Sequence, residues 1–545
     1  MCGIIGIVGK ESIIKALKSL EYRGYDSWGI AYLDNGELHV VKKVGSISDV
    51  DLNIHSEIKI GHTRWATHGK VNEINAHPHM DCKKRIALVH NGVIENVKAI
   101  KSMLSEHDII SDTDSELIAH LLETYKQKDL FNILKGSFAV VYIKKGEHKI
   151  YFLKHFSPLY IVKLPDGYAL TSDVSSFDYE FFIPLNDGDY GYISKTNYVI
   201  MNGNKQVTRE RFTTNISRAD QGKKDGYYML KEIYDQKDII DNSLSHSLTL
   251  DFTKRIDVVA AGSSYNAAYI GNLLAEQYLD KHMNVYFASE YKYIRKHISA
   301  PTTVVAVSQS GETADTLSAV RFAKDRGAYI VGITNYVGSS LTYLSDEYII
   351  MNAGVEKGVA ATKTFTAQLG VFYKMLLKDI DRNEIKKALS KEYDMKYIAR
   401  QIFKFNKFFF LGKGLLYGVA REGSLKFKEL TYNMAEAYPS GELKHGPLSI
   451  IDDKTAVISL IYDNDTFSKS LSSLEEVKSR GAYTVVLSNK HIEDVDQLIS
   501  IPNIKAPYHV FAYLIPLQLL AFNISLLLGY NPDKPRNLAK SVTVE

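Results

Sequence analysis

The sequence predicts an α+β amino-terminal half, with sheets packed between helices, followed by two tandem α/β domains with parallel sheets. Three observations lead there. Up to about residue 210 the chain alternates short β-rich runs with a few helical stretches. From about residue 240 it changes to strand–loop–helix units. That second part also repeats itself at an offset of about 150 residues, the length of one α/β domain.

Residues 4–8, 29–33, 85–89, 138–143, 149–154 and 168–172 read as strands, and 11–20 and 115–125 as helices. The stretch 215–226 is polar, with linker composition. The repeat is visible where residues 256–264 match 408–414 in pattern, and where 326–331 recur as 480–485. The domains then fall at 2–210, 241–388 and 396–530, with a linker at 211–240 and a tail at 531–545. Two prolines, Pro532 and Pro535, forbid a helix through the start of that tail.

With 545 residues, 45% hydrophobic and 24% charged, this is the composition of a soluble globular chain. A net charge of +3 gives no footprint for nucleic acid. The two cysteines, Cys2 and Cys82, exclude a disulfide framework and a Cys-rich zinc site. The start lacks the basic stretch of a signal peptide, so a cytoplasmic protein is expected. Residues 510–528 are apolar, but Pro516, Gln518 and Asn523 point to a buried helix, not a membrane span.

Cys2 follows Met1 directly. Removing Met1 leaves a thiol and a free α-amine on one residue, and an amine with a pKa of about 8 can take the thiol proton. A small buried residue opening a strand looks the same, so the case rests on what accompanies it. The motif GHTRWATHG at 61–69, followed by NAHPH at 75–79, holds four histidines. They lack the carboxylate or cysteine neighbours of a metal set. Arg64 there offers a planar fork for a carboxylate. Asn91 and Gly92, after an apolar strand, make either a turn or an oxyanion hole. Asp114, before a helix, is either part of an N-cap or a partner for a substrate ammonium. Together these groups fit hydrolysis of the glutamine side-chain amide.

In the second half, the strand at 303–307 runs into Ser308, Gln309, Ser310 and Thr313, and a helix follows from about Ala314. Hydroxyls and N–H groups at a helix start form an anion cradle suited to phosphate, and a Ser310–Thr313 capping box is compatible with it. The matching loop at 460–465 is acidic and has lost that set. Glu422, Lys426 and Glu429 share one helix face, as a solvated ladder or as acid–base machinery. A sugar isomerase needs a carboxylate for the C1–C2 proton and an acid/base for ring opening, which Glu429 and His445 could supply.

At this point the chain resembles the glucosamine-6-phosphate synthases, the isomerising glutamine–fructose-6-phosphate aminotransferases. The resemblance runs over essentially the whole length. It rests on CGI at 2–4, EYRGYDS at 21–27, GHTRWATHG, NAHPH, HNG at 90–92, SQSGETADT at 308–316, SGELKHGP at 440–447 and PRNLAKSVTVE at 535–545. It implies an N-terminal-nucleophile glutaminase domain and two sugar-isomerase (SIS) domains. Cys2 would attack glutamine, with Asn91 and Gly92 holding the oxyanion and Arg64, Thr67, His68 and Asp114 holding the amino acid. Trp65 would gate an internal ammonia channel. Ser264, Ser308, Gln309, Ser310 and Thr313 would hold fructose 6-phosphate, in a site that also includes Val359, Ala361 and Lys426. Lys540 would form an imine at C2, Glu429 would move the C1–C2 proton, and His445 of a neighbouring copy would open the ring. The family implies a homodimer, no cofactor, no metal and a place at the first step of hexosamine synthesis.

Some positions depart from the family's pattern. Ala361 replaces a common serine, and Trp28 stands where a small residue is usual and could alter domain docking. The segment before Gly61 is short. Glutamine phosphoribosylpyrophosphate amidotransferase shares the Cys2 half, but its paired acids and Gly-Thr-Thr loop are missing here. A sugar-phosphate sensor with a vestigial glutaminase would need no Glu429, His445 and Lys540 set.

Overall fold

The computed structural model describes residues 2–47, 50–66, 69–213, 222–298 and 301–542. Among these residues the amino-terminal strands pair into two antiparallel sheets of seven strands each. Gly3–Val8 lies inside the first sheet, between Ile58–Arg64 and Gly167–Thr171. Ile86–Ile94 lies in the second, paired with Gly136–Lys144. Alternation along a strand sends neighbours to opposite faces, which decides the layering. Ile4 and Val8 face the second sheet and meet Val89, Val141 and Phe152. Ile5 and Ile7 face outward, under the helix Ile13–Ser19. The helix Ser115–Thr124 covers the outer face of the second sheet through Leu117, Ile118 and Leu121. The result is helix, sheet, sheet, helix.

Trp28 is not at a docking surface. It is 2% exposed and packs in the layer between the helix Ile13–Ser19 and its sheet. Asn91 and Gly92 are not a turn either, since both lie within the strand Ile86–Ile94. Gly92 has φ +138°, and a Cβ there would fall 1.9 Å from the Ser137 carbonyl oxygen. The neighbouring strand therefore admits only glycine.

Each later repeat forms a five-stranded parallel sheet. The first has the order Asn284–Phe287, Arg255–Ala260, Thr302–Val307, Tyr329–Thr334, Glu347–Ile350. The second repeats it with Met434–Pro439, Lys407–Gly412, Thr455–Ile461, Tyr483–Ser488, Gln497–Ser500. In both, strand order reverses beside the first strand, and ligands of open α/β sheets bind at such a switch point. One continuous core joins the two repeats, so they form a single unit.

The stretch expected as a linker, 211–240, is only partly one. Residues 214–221 lie outside the described residues. The helix Tyr228–Ser243 then buries Met229, Ile233 and Ile240 in the shared core. The apolar run near the carboxyl end is the helix Leu514–Leu527, entered by a 3-10 turn at Tyr508–Tyr513. Taken together these are long and apolar enough to cross a membrane, yet 83% of the most apolar window is buried inside the protein. The tail is anchored across the molecule. The Asp533 carboxylate accepts from the Tyr228 and Met229 N–H groups at 3.0 and 2.8 Å. Lys534 pairs with Glu21 at 2.6 Å, and the Tyr25 hydroxyl donates to the Pro535 carbonyl at 3.1 Å.

The two repeats meet where the helices Gly262–Leu279 and Leu415–Thr431 cross. A Cβ on Gly418 would fall 2.3 Å from Ile270 Cγ1. Gly418→Ala should therefore overpack that crossing and cost about 1–3 kcal/mol, read as a lower urea midpoint at unchanged slope. An unchanged midpoint would show that the crossing has slack.

Candidate active sites

Cys2 opens the strand Gly3–Val8, beside the end of Ile58–Arg64. Its sulfur accepts from the Trp65 N–H at 3.2 Å and donates to the Trp65 carbonyl at 3.4 Å. Burial pushes the Cys2 thiol up, and the amino-terminal charge, the Trp65 N–H and Arg64 work against that rise. The loop carrying Trp65 is held by Asp26, whose carboxylate accepts from the Ala66 N–H at 2.9 Å. Gly24 is required beneath it, because a Cβ there would sit 2.7 Å from the Trp65 nitrogen.

Asn91 is aimed by His62. The His62 Nε2 lies 3.1 Å from both the His90 carbonyl and Asn91 Oδ1, so that nitrogen carries the proton. Burial keeps the ring neutral, its pKa pushed down to about 3. With Asn91 Oδ1 so occupied, its Nδ2 turns to Cys2 and donates to the Cys2 carbonyl at 2.7 Å. The rings of His62, His77 and His79 lie together, tilted at 4.0 Å and edge-on at 4.7 Å between centroids, and burial depresses His77 and His79 as well. They are a buried cluster held neutral by burial. Asp114 accepts from the Ile94 N–H at 2.8 Å, and Ser115 donates to it at 3.3 Å. The Arg64 guanidinium donates to the Gly69 and Lys70 carbonyls at 3.4 and 3.3 Å and feels the charges of Cys2, Asp26 and Asp114. The structure thus brings Cys2, Arg64, Trp65, Asn91, Gly92 and Asp114 to one end of the sandwich. Thr67 and His68 lie outside the described residues.

In the first α/β repeat the strand Thr302–Val307 ends in Ser308 at the switch point. Ser308 Oγ accepts from the Gly311 N–H at 3.1 Å and lies 2.9 Å from Thr313 Oγ1. Gly311 has φ +68°, and a Cβ would fall 2.1 Å from Ser339 Oγ, so the tight loop needs glycine. Thr313 precedes the helix Ala314–Lys324 without capping it through its side chain. The Ser310–Thr313 capping box is therefore not formed. Ser310 Oγ instead lies 2.7 Å from Ser541 Oγ of the tail. The Gln309 carbonyl accepts from the Asn335 N–H at 3.0 Å. Ser264 accepts from Gln368 Nε2 at 2.9 Å.

The Glu422, Lys426 and Glu429 ladder is not solvated. Glu422 is 3% exposed and Lys426 1%. Lys426 Nζ reaches Glu429 at 2.5 Å and Glu422 at 3.4 Å. Glu422 also accepts from Ser263 Oγ and Asn266 Nδ2, both at 2.8 Å. Burial opposes charge on Lys426, but Glu429, Glu422 and the more distant Glu356 hold it protonated.

Lys540 closes the site from the tail. Its ammonium pairs with Glu356 and donates to the Gly358 carbonyl at 2.8 Å. Glu356 is wholly buried and also accepts from Thr362 and Thr364. Burial opposes its ionisation, but Lys540 and these donors bring its pKa down to about 2. The adjacent Glu232 goes the other way. Burial and the charge of Glu356 push it up to about 7. Val359 is tied to the tail through the Asp533 carbonyl at 3.2 Å, and Ala361 lies half-buried at the end of the same loop. A cavity of about 540 Å³ between the two halves is lined by Gln309, Ser310, Glu356 and Lys540 on one side and Tyr22, Arg23 and Asp173 on the other. Cys2 and Trp65 are not among its walls. His445 lies exposed at the end of the turn Ser440–His445 and makes no polar contact with Glu429 or Lys540 among the described residues.

Comparison with known proteins agrees with this architecture. A family model described as the SIS domain matches residues 250–378 and 401–528. One described as a glutamine amidotransferase domain matches residues 62–178. The chain is 38% identical, over 605 aligned positions covering all of both proteins, to the isomerizing glutamine–fructose-6-phosphate aminotransferase of Pyrococcus horikoshii. The chain belongs to the isomerizing glutamine–fructose-6-phosphate aminotransferase family. A second member, from Thermotoga maritima, is also 38% identical with complete coverage of both chains. The C-terminal domain of glucosamine-fructose-6-phosphate aminotransferase from Francisella tularensis matches with a TM-score of 0.53 at 33% identity, covering 57% of this family member and all of that chain.

Sequence reasoning missed His62 as the residue that aims Asn91, Asp26 as the loop anchor, and Glu232, Glu356 and Asp533 around Lys540. His62 and Asp26 sit within the quoted motifs, yet nothing in their spacing names their partners. Glu356 lies 184 residues from Lys540, a pairing that no local pattern reveals.

Glu232 gives a pH test. Its folded pKa of about 7 lies above the unfolded value of about 4.3, so its contribution is full below about pH 4 and is lost as pH rises through about 7. Glu232→Gln keeps an acceptor for the Lys357 and Gly358 N–H groups and cannot ionise. The variant should gain thermal stability relative to wild type as pH rises from about 5 to about 8. A constant difference across that range would remove Glu232 as the titrating group.

Proposed function

We propose that this chain converts L-glutamine and D-fructose 6-phosphate into glutamate and D-glucosamine 6-phosphate, the activity in its relatives' names. The observation that carries the reading is the placement of Lys540, a single buried tail amine beside the Ser308–Thr313 cradle and tied by its own segment to the loop around Cys2. With Met1 removed, the α-amine of Cys2 takes the thiol proton, and the thiolate attacks the glutamine amide carbon. Asn91 Nδ2 and the Gly92 N–H receive the oxyanion, with His62 setting the direction of the amide. Arg64 pairs with the α-carboxylate and Asp114 with the α-ammonium, assisted by Thr67 and His68. Proton return to the leaving nitrogen releases ammonia, and water then hydrolyses the thioester to glutamate.

Ammonia stays nucleophilic only while unprotonated, so a route closed to water is part of the chemistry. Trp65 is suited to gate that route. Its N–H holds the Cys2 sulfur, its ring stands edge-on to Tyr25 at 5.6 Å, and Tyr25 holds the Pro535 carbonyl. At the far end Ser264, Ser308, Gln309, Ser310 and Thr313 grip the phosphorylated ketose, with the Val359 and Ala361 loop beside it. The Lys540 amine condenses with C2 and expels water, and ammonia then adds to C2 and displaces the lysine, which leaves as the free amine. Glu429, steadied by Lys426, moves the proton from C1 to C2 to give the aldose. The exposed His445 would open the sugar ring in a second copy of the chain, making the working unit a homodimer. A cytoplasmic setting, which holds both substrates, suits this reaction. A sugar-phosphate sensor explains neither the buried Lys540–Glu356 pair nor the thiol held by Trp65.

The decisive assay supplies fructose 6-phosphate with glutamine or with ammonium. Cys2→Ala should lose hexosamine formation from glutamine while keeping sugar binding and isomerisation. Equal output from both proteins on glutamine would refute the assignment. His62→Ala should lower the glutaminase kcat by about 10- to 100-fold with a smaller change in KM, since it misaims one oxyanion donor without removing it. A change confined to KM would place His62 in substrate binding instead.

A further inference from the structure

Four side chains near the glutaminase site take no part in the chemistry above. Cys82 lies in the turn after the short strand His79–Met80, and His107 follows the helix Val97–Met103. His120 and Glu123 share one face of the helix Ser115–Thr124. One donor atom from each lies within 4.8 Å of the others. Cys82 Sγ is 3.5 Å from His107 Nδ1 and 3.3 Å from His120 Nδ1. Glu123 Oε1 is 3.3 Å from each of the same two nitrogens. Zinc bonds of about 2.0–2.3 Å in a tetrahedron hold neighbouring ligand atoms about 3.3–3.6 Å apart. Four of the six edges are thus 3.3–3.5 Å, and the other two are no longer than 4.8 Å.

We propose that Cys82, His107, His120 and Glu123 form a structural zinc site in the glutaminase domain, where the sequence alone suggested no metal. The donor set favours this ion. Imidazole and thiolate suit zinc and disfavour magnesium and calcium, which seek oxygen ligands. One thiolate and one carboxylate balance the charge of a divalent cation. On binding, the Cys82 S–H bond breaks and its proton goes to solvent, while both imidazoles coordinate through Nδ1 as neutral ligands. No electron moves. Four protein ligands leave no open position, which marks a structural role, not a catalytic one.

The surroundings support the assignment. His120 is 1% exposed, and its other nitrogen, Nε2, faces Glu116 Oε1 at 3.6 Å. A carboxylate behind a ligating histidine is the usual outer partner of a zinc site. Glu116 is held in turn by the Ile110 and Ser111 N–H groups at 3.0 and 2.6 Å. The chain of contacts thus runs from the metal point to the loop that presents Asp114. Zinc would clip the 81–85 turn, the segment around His107 and the helix into one piece.

The test uses the full chain carrying Cys2→Ala, so that Cys82 is the single remaining cysteine of the two. The protein is stripped with chelator and titrated with zinc chloride and, separately, with cobalt(II). One metal per chain should survive desalting, and zinc should raise the thermal midpoint. Cobalt should give tetrahedral ligand-field bands together with thiolate-to-metal charge transfer. Glu116→Gln should weaken zinc binding by about 10- to 100-fold. The more exposed ligands are changed by Cys82→Ser and His107→Gln, each of which should cost more than that while circular dichroism confirms folding. A cobalt spectrum without charge transfer, or zinc affinity unchanged in both ligand variants, would overturn the site and leave a hydrogen-bonded cluster.

Discussion

The buried ion pair between Lys540 and Glu356 is the contact on which the arrangement of the second half depends. Glu356 is fully buried and Lys540 nearly so. Removing one partner of such a pair typically costs about 3–5 kcal/mol, because the other charge is stranded. Around it stand weaker anchors. The Asp533 cap on the helix Tyr228–Ser243 is the kind of contact worth about 1 kcal/mol, with a further fraction from the helix dipole. The exposed end of the Lys534–Glu21 pair adds less. The magnitudes therefore order the tail. Lys540 holds it against the buried Glu356, and the caps and surface pairs set its path.

For Lys540 to form the imine proposed above, that pair would have to open, since a protonated amine is no nucleophile. Glu356, at about 2, is too weak a base to take the proton near neutrality. Glu232, at about 7, is the neighbour that changes charge there. One carboxylate fixes the lysine and the other titrates beside it. Two like charges in a dry space push apart in pKa, and the separation gives each a distinct part.

Much of the fold was legible because its signals are local. The continuous apolar run at residues 4–8 read as a strand, and the structure divides Ile4 and Ile5 between two cores. The repeat at about 150 residues foretold two sheets, and their strand orders agree. The helix Tyr228–Ser243 was missed because Gly222 and Gly226 make its approach look like linker, while its apolar face completes a core supplied by distant segments. Asn91 and Gly92 looked like a turn because that dipeptide usually makes one. Here the glycine answers a carbonyl of the adjacent strand, which the sequence places 45 residues away. The cluster at Cys82 was invisible for a related reason. Its ligands come from a turn, a loop and a helix, and no motif spacing joins them.

The two sites are not independent modules lying side by side. Glu312 lies within the Ser308–Thr313 loop, yet its carboxylate accepts from the Tyr160 hydroxyl of the glutaminase half at 2.9 Å and from the Ser340 N–H at 2.7 Å. Burial raises its pKa, so it is a costly group to place there for structure alone. A second connection runs from the Cys2 sulfur through Trp65 and Tyr25 to Pro535. Under the proposed function, a ketose held by this loop and tail would act on groups in direct contact with Tyr160 and Tyr25. Coupling of binding free energies is reciprocal, so any effect of the sugar on glutamine affinity would equal the effect of glutamine on sugar affinity.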